Sequence, residues 1–179
     1  MSFNPVATEG KVFEIPYEQM YDAVCSGVVA CGWQLGDYQG DANKKNIVFL
    51  FFELNETNAD GEPFVVFQKF NNTTSDKGKF KPFFEKMTKT SLTHEIDLSE
   101  LIGYQVKALV THSNNKDNTK TYANIDTALP NPAGQMTVTN PLIYDFEEHN
   151  EAVFVTLPKF MQNLVLNRMT AQEVADFEY

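Results

Sequence analysis

Apolar and polar residues alternate along this chain with two different periods, and the changes of period outline its elements. Residues 21–33 (YDAVCSGVVACGW) are small and β-branched and predict a long strand in which Gly27 and Gly32 admit bulges. The polar stretch 34–46, with two glycines, reads as the loop after it. Residues 47–54 (IVFLFFEL) are so continuously apolar that a second strand with both faces partly covered is expected. Asp60 and Gly61 mark a turn, and 64–70 (FVVFQKF) resumes as a third strand, making a hairpin with a long loop. The period then lengthens. Phe80, Phe83, Phe84 and Met87 stand at i, i+3, i+4 and i+7 and predict a helix that begins just before Pro82, with Ser75 or Asp76 available as its cap. "DLSELIG" predicts a second, one-turn helix, with Asp97 as N-cap, Glu100 as capping-box partner and Gly103 as the stop. Residues 105–111 are the fourth strand and 121–127 the fifth. In the fifth, Ala123, Ile125 and Thr127 share one face, and Tyr122, Asn124 and Asp126 the other.

Three strands, a helix and two more strands predict a mainly β fold. That order is the order of a five-stranded Greek-key barrel with a helix between strands three and four, the OB-fold, with a flat sandwich as its structural rival. The barrel domain is expected over 1–130, with 1–20 as a polar lead-in, and 131–179 as a C-terminal extension. Within the extension, 131–155 has little helical period and is expected to run along the barrel or partly free. Leu157, Phe160, Met161, Leu164, Val165 and Arg168 then predict an amphipathic helix at about 157–168, with Thr156 as cap and Pro158 in its first turn. The end of the chain, 170–179, reads as an acidic tail.

The chain has 179 residues, 42% of them apolar, enough for one packed domain. A net charge of −10 argues against a polyanionic partner, but the charge is unevenly spread. Between 67 and 94, six lysines face two acids, whereas 141–179 carries seven acids against Lys159 and Arg168. The N-terminus lacks a charged-then-apolar signal pattern. The longest apolar run, 47–52, is too short to span a bilayer, so a cytoplasmic protein without a membrane partner is expected. Cys25 and Cys31, the two cysteines, read as small buried apolar residues rather than a disulfide or metal pair.

Catalytic and cofactor signatures are missing from the sequence. The histidines at 94, 112 and 149 have no partner at metal-ligand spacing, no phosphate-cradling glycine loop precedes a helix, and no nucleophile elbow occurs. Glu147, Glu148 and His149 read as solvated surface rather than acid–base machinery. Neither enzyme activity nor a cofactor is expected. Binding has better support, because single-stranded nucleic acid is held by a cationic groove with aromatic rings for stacking. In an OB-type barrel that groove lies on strands two and three and the loops after strands one and four. The candidates there are Lys44, Lys45, Lys69, Lys116 and Lys120 for phosphates, and Trp33, Tyr38, Phe49, Phe51, Phe67 and Tyr122 for bases. Phe49 and Phe51 suit core and groove equally, and Trp33 leans to core. Tyr122, on the polar face of its strand beside Lys120, and Tyr38 are the best individual candidates.

The segments "DGEPFVVFQKF", "DLSELIGYQVKALVTHSNN…KTYANIDTALPNP" and "LPKFMQNLVLNR" resemble a family of phage-encoded OB-fold single-stranded DNA-binding or replication and recombination accessory proteins. The likeness runs over roughly 21–168 and is carried by Asp97, Leu98, Leu101, Gly103, His112, Tyr122, Ala123, Asn124, Ile125 and Pro130. The chain departs from that pattern in its longer "NNKDNTK" loop and in "NNTTSDKGKF" after the third strand. The resemblance implies sequence-tolerant binding of single-stranded DNA in phage replication or recombination. The acidic end, Asp176, Phe177, Glu178 and Tyr179, is similar in character to tails that recruit polymerases, helicases and nucleases. A non-enzymatic protein-binding β-barrel, as adaptor or virion component, fits the same residues; a nuclease is the more distant alternative, and homodimerisation is left open.

Overall fold

The computed structural model describes residues 14–177 and is built around one long strand. β1 (Met20–Tyr38) pairs along its length with β2 (Asp41–Thr57), and β2 pairs with β3 (Pro63–Asn71). On its other edge β1 carries β4 (Gln105–Asn114) over residues 20–24, and β4 pairs with β5 (Thr121–Pro130). The order is β3-β2-β1-β4-β5, all antiparallel. Where β4 leaves β1, a short strand β6 (Leu142–Asp145) takes over the same edge, running parallel to residues 27–30. Bulges between Cys25 and Gly27 and between Ala30 and Gly32 bend β1 there. Gly27 is what admits β6: a Cβ at this position would stand 3.0 Å from the Leu142 carbonyl oxygen and 3.1 Å from Phe51 Cβ.

The bent sheet has a core on each face. Inside its curve, Leu50, Phe52 and Leu54 of β2, Val66 and Phe70 of β3, Val106, Ala108 and Val110 of β4, and Ile125 and Ala128 of β5 pack together. Helix α1 (Phe80–Thr88), between β3 and β4, closes this core with Phe80, Phe83, Phe84 and Met87, the four residues its period placed on one face. On the outer face, Val29, Cys31, Ile47, Phe49 and Phe51 meet Tyr144 of β6, Phe154 of α2 (Glu151–Phe154), and Met161 and Val165 of α3 (Lys159–Leu166). β2 is therefore buried on both sides, which accounts for the run 47–54, apolar except at Glu53. Glu53 lies buried in that run, its carboxylate accepting hydrogen bonds from the Thr139 and Asn140 amides at 2.7 and 2.8 Å.

Several expectations need correction. The stretch 34–46 is not a loop, because β1 and β2 continue as a two-stranded ribbon to a turn at Gln39 and Gly40, whose φ values of 54° and 86° suit a type I′ hairpin. α1 starts at Phe80 with Lys79 as N-cap and no side-chain cap bond, so neither Ser75 nor Asp76 caps it. The Leu98–Leu101 turn is 3₁₀, capped by Asp97 through the Ser99 amide, and Gly103 follows at φ 89°. In β5, Asp126 is an extra residue opposite the Leu109–Val110 step, so Ala128 rather than Thr127 joins Ile125 in the core. α3 is shorter than expected, with Pro158 rather than Thr156 at its N-cap. Residues 171–176 of the acidic tail form α4 (Ala171–Asp176), opened by a capping box between Thr170 and Glu173. Glu178 and Tyr179 lie outside the described residues.

Candidate functional site

The outer core decides what the aromatic candidates can do. Phe49 and Phe51 are 2% and 6% exposed, covered by β6, α2 and α3, and their rings make core contacts instead of a stacking surface. Phe67 is half-buried beside them, with ring centroids 5.8 Å from Phe49 and 5.3 Å from Phe51. A third ring completes the group. Phe160 of α3 packs edge-on to Phe49 at 5.8 Å and tilted against Phe67 at 5.7 Å, yet remains 47% exposed.

This ring group borders Lys69, which is exposed on β3 opposite Phe49. Lys69, Phe67, Phe160, Leu164, Gln68 and Asn124 line a cleft of about 340 Å³. β3 and β5 are the two ends of the sheet order and approach each other here without forming a ladder. A second cleft, of about 510 Å³, shares Gln68 and Asn124 with the first and continues past Lys79, Pro82 and Lys86 of α1. Tyr122, 49% exposed, stands two residues from Asn124 on the same face of β5.

Lys116 and Lys120 are exposed in the β4–β5 hairpin. The polar loop there is well tied: Asn115 Oδ1 accepts from the amides of Thr119 and Lys120, and Asn118 takes φ 56°. Hydrogen bonds from the Thr119 hydroxyl and amide hold the Asp117 carboxyl below its usual range, so an anionic group sits between the two lysines. At the far end of the sheet, Tyr38 is 64% exposed at the tip of the β1–β2 ribbon, and Lys45 is exposed on it. Trp33 and Lys44 are engaged otherwise. Lys44 Nζ lies 5.3 Å from the centre of the Trp33 ring and 5.5 Å from that of Phe177, and it donates to the Val174 carbonyl at 3.1 Å. Residues 174–177 are thus held on the ribbon, with Asp176 exposed beside it.

The candidates therefore fall into three places: the β3–β5 seam with Lys69 and Phe67 next to Tyr122, the hairpin with Lys116 and Lys120, and the ribbon with Tyr38 and Lys45. The sequence reading missed Phe160, Gln68, Asn124, Lys79 and Lys86 as lining residues. A signal existed for the α1 residues, since Lys79, Pro82 and Lys86 recur at helical spacing along the flank of the apolar stripe. Lys81, from the same basic cluster, is paired instead with Asp76 at 2.8 Å.

His149 is better placed than its sequence context suggested. Tyr144 Oη is hydrogen-bonded to its Nδ1 at 2.7 Å, and its Nε2 is hydrogen-bonded to the Glu151 carboxyl at 2.8 Å. Tyr144 is 2% exposed, so this chain ties β6 to α2 and presents no hydroxyl to a substrate. Among the described residues no three His, Cys, Asp or Glu side chains gather as a metal site, and no helix is long and apolar enough to cross a membrane.

The thiols are both free and buried. Burial pushes Cys25 up to about 12 and Cys31 up to about 11, the latter opposed by the nearby Lys69 charge. The native state keeps these protons at a pH where the unfolded chain loses them. Their contribution to stability is therefore complete below about pH 9 and falls as pH rises, by about 1.4 kcal/mol per unit per thiol. Urea unfolding at increasing alkaline pH should show a shallower decline in a Cys25→Ala/Cys31→Ala variant than in the wild type. Equal slopes would mean that the thiols ionise without unfolding.

No protein-family model matches the chain, and no curated protein sequence matches it.

Proposed function

We propose that the chain is an OB-fold protein that binds single-stranded DNA largely without regard to sequence, as a non-enzymatic component of phage DNA replication or recombination in the cytoplasm of the infected cell. The observation that carries this reading is the strand order. One bent strand is shared by β2 and β4, α1 spans from β3 to β4, and β5 returns towards β3, as in a partly open Greek-key barrel. The exposed lysines support it: Lys69 at the seam, Lys116 and Lys120 at the hairpin and Lys45 on the ribbon neutralise phosphates, while Tyr122 and Tyr38 stack bases. The end of the chain, from Asp176 onward, recruits replication or recombination proteins.

The test is fluorescence anisotropy of a labelled oligo-dT titrated at several salt concentrations, with a duplex of equal length beside it. Binding to the single strand should weaken linearly on a log–log salt plot, by about 0.7 per phosphate neutralised. Tyr122→Ala with Lys69→Ala should lower affinity at least about fivefold, the loss of about one stacked base. If nothing binds at low salt, the DNA reading falls and a protein-binding β-barrel, adaptor or virion component, replaces it.

A further inference from the structure

An OB-type barrel is expected to offer the outer face of β2 and β3 to its ligand, but here the C-terminal layer covers the β2 part of that face with Met161, Val165 and Phe154. What stays open is the seam. We infer that a single strand of DNA passes through the β3–β5 seam, with a base stacked on Phe160 of α3 and the phosphates running from Lys69 to Lys79 and Lys86. This path rests on the single-stranded DNA reading above and assigns it a route and three residues of its own.

Three observations support the route. First, Gln68 and Asn124 line both clefts, so the two adjoin at the seam, cationic at Lys69 on one side and at Lys79 and Lys86 on the other. Asp126 is the one acid among the residues lining the two clefts. The junction is built of amides, and the Gln68 side-chain oxygen is buried there with no donor among the described residues. Asn124 Nδ2 donates to Ser113 Oγ at 2.8 Å, so the midpoint is uncharged and sets no carboxylate against a passing phosphate.

Second, Phe160 is exposed in a helix whose neighbouring apolar residues, Met161 and Val165, are buried. Its ring is fixed in advance by contacts with Phe49 and Phe67 at 76° and 34°. A base that stacks on a ring already held in place incurs little ordering cost. Third, Lys79 and Lys86 lie seven residues apart at one end of and within α1, about 10 Å along its axis, or about three stacked nucleotides at about 3.4 Å each.

The experiment uses the full chain and labelled oligo-dT across a salt series, with thermal unfolding of every variant. Phe160→Leu keeps apolar bulk against Phe49 and Phe67 but removes the π surface, and should weaken binding at least about fivefold, whereas Phe160→Tyr should stay within about twofold. Lys79→Gln with Lys86→Gln should lower the log–log salt slope by about 1.4, the share of two phosphates. Both lysines are exposed, so this second variant reads the path even if Phe160→Leu destabilises the outer layer. Wild-type binding with an unchanged slope in the lysine variant, or an unchanged affinity in a well-folded Phe160→Leu, overturns the seam path and leaves the DNA-binding reading standing. A wild type that ignores single strands overturns both.

Discussion

Phe52→Ala is expected to cost about 3–5 kcal/mol and to bring the protein close to its unfolding threshold. Phe52 is fully buried on the concave side of β2, paired in register with Cys25 and Val66, and its ring lies 6.2 Å from Phe83 of α1. The substitution removes one of the ring contacts through which the sheet holds α1, leaving those of Phe70 with Phe80 and Phe83, and β strands cannot close around the void because β2 is paired on both edges. Urea unfolding measures it directly. Phe52→Leu should lose much less, since it fills most of the same space. An alanine variant as stable as wild type would mean that the α1 layer repacks freely, contrary to the ring geometry described.

Glu53→Ala is expected to do nearly as much damage by a different route, at about 2–4 kcal/mol. Glu53 follows Phe52 and points to the opposite face. It is 1% exposed, and its carboxylate takes both the Thr139 and Asn140 amides. Hydrogen bonds to a charged acceptor are worth about 1.5–3 kcal/mol each, and these two anchor the strap that delivers β6 to β1. Alanine leaves both amides without that acceptor and frees the strap, whereas Glu53→Gln keeps one oxygen in place and should lose about half as much. Hydrogen exchange at Thr139 and Asn140, together with urea unfolding, separates local release from global loss. Unchanged protection at both amides in the alanine variant would show that the strap is held by something else.

Much of the inner core could be read in advance because its signals are local. The i, i+3, i+4, i+7 phenylalanines of α1, the Asp97 cap and the alternation of Ala123 and Ile125 depend only on near neighbours. The ribbon beyond Trp33 carries no strand signal because its residues are mostly polar on both faces, and a strand pair that projects into solvent needs no apolar alternation. α4 was hidden by its charge, although Thr170 and Glu173 stand at capping-box spacing. Phe49 and Phe51 could not be assigned from their strand alone, since what covers them arrives from residues 144–165. Gln68 and Asn124 meet only through the curvature of the whole sheet, and nothing near either residue announces the other.

The parallel pairing of β6 with residues 27–30 also sets an order of events during synthesis. β1 and β2 emerge from the ribosome early as a hairpin with a free edge and an uncovered face of Val29, Ile47, Phe49 and Phe51, and both stay open until 142–165 has been made. For that interval the nascent chain presents the combination that favours strand-to-strand aggregation, an unpaired edge beside a phenylalanine-rich surface. Overproduction at lower temperature or with chaperones should therefore raise the soluble fraction. Chains truncated before residue 142 should be found largely in the insoluble one.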